Sequence, residues 1–172
     1  YLSTKPKIKI TDVTELRDRL EAIYEVTDQV ILAKWSLNLA KHILQLSPKD
    51  KVCGTPPLAF TFGLGGLLCF PLRVGASSVL AEGLTPKLLL EYIDRFGISM
   101  TFTAPTFYRQ MAALAPQFSL SSLKKTVSAG EALPQATREL WKQATGIEMI
   151  DGIGGTEMIH VYVSSRPEEV KP

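Results

Sequence analysis

The stretch Ser99-Met100-Thr101-Phe102-Thr103-Ala104-Pro105 joins a run of β-favouring residues directly to a proline. Thr and Phe are frequent in strands, because β-branched and aromatic side chains pack well on a pleated surface. Proline is frequent at the first position of a helix, where its missing N–H would have no partner in any case. The stretch therefore predicts a strand over residues 99–104 that is followed by a helix over residues 105–114.

The same order of strand and helix recurs on both sides of this stretch. Proline also opens the predicted helices at residues 86–96 and 134–145, and further strands are predicted at residues 52–55, 78–81, 125–128 and 148–152. Short strands that alternate with helix-length segments are typical of βαβ crossovers, in which neighbouring strands are parallel. We therefore predict an α/β fold with a mainly parallel sheet and flanking helices.

Three of the predicted strands end in small or polar residues. Ala104-Pro105-Thr106, Ser128-Ala129-Gly130 and Asp151-Gly152 each lie at the carboxyl end of a strand. Ligands of open parallel sheets bind beyond the carboxyl ends of the strands. We therefore expect the three segments to converge on one crevice.

The first part of the chain is expected to be a helical segment that precedes the sheet. Apolar residues at helical spacing predict a helix from Thr11 to Val26, after a basic lead-in. A second helix is predicted from Asp28 to Leu46, where Ser47-Pro48 would end it. Residues 1–30 are interpreted as one unit and residues 31–172 as an α/β subdomain.

Composition and charge narrow the classes of function. The chain has 172 residues, 45% of them hydrophobic, and a net charge of +2, which is ordinary for one globular domain. No basic stripe suggests nucleic acid as a partner, and the apolar run near residues 63–72 is interrupted by Pro71 and Arg73, so no membrane span is expected. Cys53 and Cys69 are interpreted as reduced residues of a cytoplasmic protein.

Glycine, hydroxyl and carboxylate groups occur together in Asp151-Gly152-Ile153-Gly154-Gly155-Thr156-Glu157. Adjacent glycines allow the backbone to pass close to a bulky ligand. Thr156 could donate its hydroxyl to a phosphate oxygen, and Glu157 is a hard oxygen ligand that suits Mg²⁺. A tight connection between two elements would have the same composition, so the motif alone leaves both interpretations open.

Three collinear motifs resemble segments of one enzyme superfamily. Residues 151–160, Asp-Gly-Ile-Gly-Gly-Thr-Glu-Met-Ile-His, resemble the adenylate motif of acyl-CoA synthetases, in the form found in benzoate-CoA and 2-aminobenzoate-CoA ligases. Residues 126–134, Thr-Val-Ser-Ala-Gly-Glu-Ala-Leu-Pro, resemble the adenine-pocket segment, and residues 57–66 resemble the acid-pocket segment. The chain is thus similar to the middle of the large N-terminal domain of the acyl-adenylate-forming (AMP-binding) superfamily.

The resemblance implies adenylation of an aromatic carboxylic acid by ATP, followed by thioester formation with coenzyme A. In that scheme Thr156 would bind phosphate and Glu157 would bind Mg²⁺ as the catalytic pair, Asp151 would accept a hydrogen bond from the adenine amine, and Ile153 would pack where many relatives have an aromatic ring. The implied nucleotide site consists of Gly130, Glu131, Ala132, Asp151, Gly152, Ile153 and Thr156.

The same resemblance implies an acid pocket for a flat aromatic ring. Phe62 would contact the ring, Gly154 would leave space for its plane, and His160 would bond the carboxylate or an ortho substituent. Without the resemblance, Phe62 would be interpreted as a core residue and His160 as a surface residue. The implied pocket consists of Thr61, Phe62, Gly154, His160 and Val161. Relatives often have Ala-Tyr in place of Thr61-Phe62, so benzoate, 2-aminobenzoate and hydroxybenzoate all stay open.

Some family segments have no counterpart in this sequence. Ser3-Thr4-Lys5-Pro6-Lys7 matches only the tail of the family's phosphate loop and lacks its glycines, and the sequence stops at Pro172, before the ribose-binding Asp and the Lys-bearing C-terminal domain. We therefore expect a fragment or truncated form of an aryl-CoA ligase that is inactive alone and associates with a complementary fragment or with itself. The alternative is a non-catalytic ligand-binding or interaction module.

Overall fold

The computed structural model describes residues 39–156 and 160–164. The predicted helix at Thr11–Val26 and most of the one at Asp28–Leu46 lie outside these residues, as does Glu157. The described part of the second helix is a short turn, Leu39–Ile43. The prediction that this helix continues to Leu46 is wrong, because Gln45 has a φ of 50° and leaves the helical path.

Six strands form one sheet in the order β2-β1-β3-β4-β5-β6. Strands β1 to β5 are parallel, and β6 is antiparallel to β5. The strands are β1 (Lys51–Gly54), β2 (Ser77–Val79), β3 (Met100–Thr103), β4 (Lys125–Ser128), β5 (Met149–Gly154) and β6 (Val161–Ser164). The predicted α/β class and mainly parallel sheet are confirmed, whereas β6 was not predicted.

Three of the helices follow the predicted prolines. They are α2 (Pro86–Phe96), α3 (Pro105–Leu114) and α4 (Gln135–Thr145). Thr85 caps α2, because its hydroxyl accepts a hydrogen bond from the Leu88 N–H at 3.2 Å. The bounds of α2 and α3 are those predicted, and α4 begins one residue later than predicted because Pro134 occupies its N-cap.

Helix α1 spans residues 61–74 and connects β1 to β2. It consists of an α-helical start, a π-helical turn at Leu64–Cys69 and an α-helical end at Phe70–Val74. The π-helical turn ends two residues before Pro71, which has no N–H to donate to the preceding turn. Gly66 lets this helix approach the sheet, since a Cβ there would lie 2.7 Å from the Phe102 ring.

Apolar side chains cover both faces of the sheet. Phe102, Val127 and Ile150 are in register on β3, β4 and β5 and belong to one buried cluster, to which α1 contributes Leu67 and Phe70. Because alternate residues of a strand point to opposite faces, Met149 belongs to the other cluster, with side chains from α2, α3 and α4. Among the residues described, no helix is long and apolar enough to cross a membrane.

Candidate functional site

The carboxyl ends of β3, β4 and β5 lie side by side. Thr103 pairs with Ser128, and Ser128 pairs with Asp151. The segments that follow β3 and β4 and the end of β5 therefore share one edge of the sheet. This is the convergence that the sequence predicted.

The loop between β4 and α4 exposes its backbone at this edge. Gly130 has a φ of 93°, a left-handed conformation that favours glycine. Gly130, Glu131 and Ala132 are all exposed. The Thr106 hydroxyl at the start of α3 donates a hydrogen bond to Oε1 of Glu131 at 2.8 Å. The segment is therefore exposed to solvent while one of its side chains contacts the neighbouring helix.

Glycines at the end of β5 make room for β6. A Cβ on Gly152 would overlap Cγ1 of Val161, and a Cβ on Gly154 would lie 2.7 Å from the carbonyl oxygen of His160. The motif was interpreted as a strand end followed by a glycine turn, but the strand continues to Gly154 and pairs with β6. Close packing between the two strands therefore explains both glycines without a ligand.

Ile153 projects from β5 into solvent. Its side chain is 63% exposed, and it pairs with Val163 of β6, which is also exposed. Asp151 is half-buried two residues earlier, and Thr156 is exposed after the end of the strand. The predicted nucleotide site thus lies on two segments at the crevice, β5 with the residues just after it and the loop after β4.

His160 is buried against the acid-pocket segment. Only 1% of the residue is exposed, so its interpretation as a surface residue is wrong. Its ring centroid lies 5.4 Å from that of Phe62 and 4.7 Å from that of Phe70. Val161 is also buried, and Gly154 contacts the His160 backbone. Four of the five predicted pocket residues therefore lie together, and the fifth, Thr61, is half-buried beside Phe62 at the start of α1.

The hydrogen bonding of His160 fixes what its ring can bind. Nε2 lies 3.1 Å from the carbonyl oxygen of Phe62, which can only accept, so Nε2 carries the proton. Burial lowers the pKa of His160 to about 4, although the Phe62 carbonyl acts in the opposite direction, and the ring is neutral at pH 7. Nδ1 is buried and has no hydrogen-bond partner among the residues that the structure describes. The ring can therefore still accept a hydrogen bond at Nδ1, but it has no further N–H to donate to a carboxylate.

Gly65 is a site residue that sequence reasoning missed. A Cβ at this position would overlap Cδ2 of His160, so the imidazole ring can occupy its place only because Gly65 has no side chain. The adjacent pair Gly65-Gly66 in the middle of an apolar run was the available signal.

A cavity of about 540 Å³ opens at the carboxyl ends of β1 and β2. Its walls come from residues 54–58, from Leu67 of α1 and from residues 80–83 after β2. Strand β3 separates β1 from β4 in the sheet, so this cavity is displaced from the loop that follows β4. Of the predicted site residues, only those of the acid-pocket segment are close in sequence to the residues that line this cavity.

Metal-ligand groups do not cluster in the described ranges, 39–156 and 160–164, where no three His, Cys, Asp or Glu side chains come together. The assignment of Mg²⁺ to Glu157 stays a prediction. Cys53 and Cys69 do not form a disulfide, and burial raises the pKa of the Cys53 thiol to about 11.

Proteins with similar sequences and structures include ligases that are named for aromatic acids. Benzoate-CoA ligase of Thauera aromatica is 39% identical over 134 residues, which is 76% of this chain and 25% of the ligase. Anthranilate-CoA ligase of Pseudomonas aeruginosa is 36% identical over 133 residues, 77% of this chain and 25% of the ligase. The crystal structure of anthranilate CoA ligase AuaEII with anthranoyl-AMP matches 81% of this chain and 28% of its own, with a TM-score of 0.74 and 42% identity.

Two facts about extent qualify these similarities. The chain spans about a quarter of the length of the curated relatives it matches. The sequence model of AMP-binding enzymes, in contrast, matches residues 26–172, which is most of this chain. By that match the chain belongs to the AMP-binding enzyme family.

Proposed function

We propose that the chain forms part of the acid-adenylating site of an ATP-dependent aryl-CoA ligase. The observation that carries this proposal is the position of β5, which bears residues of both halves of the site. Asp151, Gly152 and Ile153 belong to the implied nucleotide site, and Gly154 contacts His160 of the implied acid pocket. An adenylate and its acyl group would be held by consecutive residues of one strand.

The nucleotide half would bind through backbone and small polar groups. Adenylation joins a carboxylate oxygen to the α-phosphorus of ATP and expels pyrophosphate, so the site must hold two anions and stabilise the charge that develops on phosphorus. The exposed backbone of residues 130–132 and the side chain of Ile153 would line the adenine. Thr156 would donate to phosphate, and Glu157 would hold Mg²⁺, which neutralises phosphate charge when it is bound.

The acid half would accept a flat aromatic ring. The rings of Phe62, Phe70 and Phe102 surround His160, with centroids 4.7 to 6.3 Å from its own. Such apolar walls suit an aryl group better than a charged or strongly hydrated one. In the second step the thiol of coenzyme A would attack the acyl carbon and release AMP, which gives the aryl thioester.

The extent of the match supports a partial site. Because the chain spans about a quarter of its relatives, other parts of a ligase would supply the remaining groups. We expect weak binding of an acyl-adenylate and no turnover by residues 1–172 alone. A complementary ligase fragment or a second copy would be the partner, with residues 31–172 as the AMP-binding subdomain and residues 1–30 outside it. A cytoplasmic location stays a prediction from the sequence.

Calorimetric titration with a non-hydrolysable benzoyl-adenylate mimic tests the proposal. Saturable binding that is tighter than that of a matched acetyl mimic is expected, and Thr156→Ala should weaken it about three- to tenfold by removing one hydrogen bond. Ser121→Ala, which removes an exposed hydroxyl after α3, is the control. If the folded chain binds neither mimic at high protein concentration, the adenylating function is wrong, and a non-catalytic interaction module becomes the better description.

A further inference from the structure

The hydrogen bond between Thr106 and Glu131 joins two segments that are set by the same strand pair. Thr103 and Ser128 are register partners on β3 and β4. Thr106 and Glu131 lie three residues beyond them, and the Thr106 hydroxyl donates to Oε1 of Glu131 at 2.8 Å. The register of the sheet therefore brings the two side chains together at the carboxyl edge.

The two partners differ in how firmly their backbones are held. Thr106 follows Pro105 at the start of α3, where the proline ring restricts φ and Pro105 itself is buried. Glu131 follows Gly130, in a segment that is neither strand nor helix from residue 129 to residue 134. The hydrogen bond between them therefore restrains Glu131 in the loop against the more firmly held start of α3.

Ala129 and Leu133 of this loop pack against the two core clusters, and this bond is the side-chain hydrogen bond that restrains the loop between them. Within residues 39–156 and 160–164, it is the one hydrogen bond through which a side chain of residues 129–134 reaches another element of the fold. A hydroxyl-to-carboxylate bond is among the stronger hydrogen bonds, because its acceptor is ionised.

We propose that Thr106 is a positioning residue for nucleotide binding. This inference depends on the proposed function, and it adds a residue that none of the motifs contains. Thr106 fixes Glu131 and, through it, the exposed backbone of residues 130–132 in the conformation that lines the adenine. Loss of the Thr106 hydroxyl should weaken binding of the nucleotide half of the ligand. The preference for an aryl group should stay unchanged.

The test compares Thr106→Val, which keeps the shape without the hydroxyl, with Thr106→Ser, which keeps the hydroxyl. Affinities for AMP and for the benzoyl- and acetyl-adenylate mimics are measured by calorimetry. Thr106→Val should weaken AMP and both mimics by the same factor, about three- to tenfold, with the aryl preference unchanged and Thr106→Ser close to wild type. NMR order parameters of residues 130–132 should fall in the valine variant and recover in the serine variant.

A second pair of variants separates this role from a general surface effect. Glu131→Ala should weaken AMP binding as Thr106→Val does, and the double variant should be no weaker than either single one. Glu139→Ala is the control, because Glu139 is an exposed carboxylate in α4 that accepts a hydrogen bond from neutral Gln135. It should leave AMP affinity unchanged.

The outcomes distinguish the two levels of inference. If the wild-type chain binds the mimic and Thr106→Val binds it equally well, or if Thr106→Ser is as weak as the valine variant, the positioning role is wrong and the proposed function stands. If the wild-type chain binds no nucleotide at all, both are wrong.

Discussion

The backbone carbonyl of Phe62 accepts a hydrogen bond from Nε2 of His160 at 3.1 Å, although 98 residues separate the two in sequence. The bond ties the start of α1 to the residue just before β6. It also consumes the only N–H of a neutral imidazole ring, so the hydrogen-bonding capacity that is left on His160 is that of an acceptor.

His160→Ala should destabilise the chain by about 2–4 kcal/mol, because it leaves a cavity among three aromatic rings and removes the bond to Phe62. Chemical denaturation with a constant m-value would measure the loss. His42, the other histidine of the chain, is exposed, so His42→Ala should change the free energy of unfolding by less than about 0.5 kcal/mol. Equal effects of the two substitutions would contradict the burial of His160.

Stability should decrease in mildly acidic solution because of His160. Burial lowers the pKa of its ring to about 4 in the folded chain, below its usual value of 6.5, so the unfolded chain binds more protons between these values. The free energy of unfolding is then unaffected by this group above pH 6.5 and falls as the pH drops toward 4, by about 1.4 kcal/mol per pH unit at most. Chemical denaturation at several pH values from 7.5 to 4.5 measures this decrease in the free energy of unfolding. A His160→Phe variant should lack the contribution of His160. If the free energies of unfolding of the variant and the wild type depend on pH in the same way, His160 is not the cause.

Gly65→Ala should displace the imidazole ring. The new Cβ would overlap Cδ2 of His160, and we expect a loss of about 1–3 kcal/mol from overpacking. In a His160→Ala background the same substitution should cost much less, because the obstructing ring is absent. A double-mutant cycle measures the difference, and additive effects would show that the two positions do not touch.

Arg138 and Lys142 both lie 2.8 Å from the Glu148 carboxylate, but they should contribute unequally. Arg138 is 13% exposed and also donates to the Met149 carbonyl, whereas Lys142 is 60% exposed. Arg138→Ala should cost about 1–3 kcal/mol, since it removes two hydrogen bonds, to Glu148 and to the Met149 carbonyl, from a largely buried position. Lys142→Ala should cost less than about 1 kcal/mol, as exposed ion pairs do. Thermal unfolding of both variants at low and high salt measures the two losses of stability. A larger loss for Lys142→Ala than for Arg138→Ala would contradict the prediction.

The parts of the fold that the sequence predicted correctly carry local signals. Thr85 and Pro86 mark the start of α2, and Gly97, with a φ of 65°, marks its end. Helix α1 has no such signals, because a π-helical turn and a proline lie within it and its glycines serve packing against the sheet. Strand β6 contains the β-favouring residues Val161-Tyr162-Val163, but its pairing with β5 depends on contacts that are distant in sequence, such as the bond from the Ser164 hydroxyl to the Asp151 carbonyl.

The candidate site shows the same division. The motif resemblance placed Phe62 and His160 in one pocket, and the structure brings them into contact. Which atoms meet could not be predicted, because the acceptor is a backbone carbonyl whose direction is set by α1. Gly65 was missed for a related reason, because it makes room for the ring of His160, which is distant in sequence. The sequence placed Thr106 at the crevice but did not identify Glu131 as its partner.

Strand β5 also sets the distance between the two halves of the proposed site. Asp151 and Gly154 are three residues apart, and at about 3.3 Å per residue of strand they are separated by roughly 10 Å. Asp151 is paired with β4 and residues 152–154 are paired with β6, with a shift of register between Ile153 and Gly154, and this pairing limits how far the segment can lengthen. On the proposed assignment, an acid with a longer spacer between ring and carboxylate cannot be accommodated by stretching the site, so such an acid would have to bend its own chain or move its ring out of the aromatic pocket.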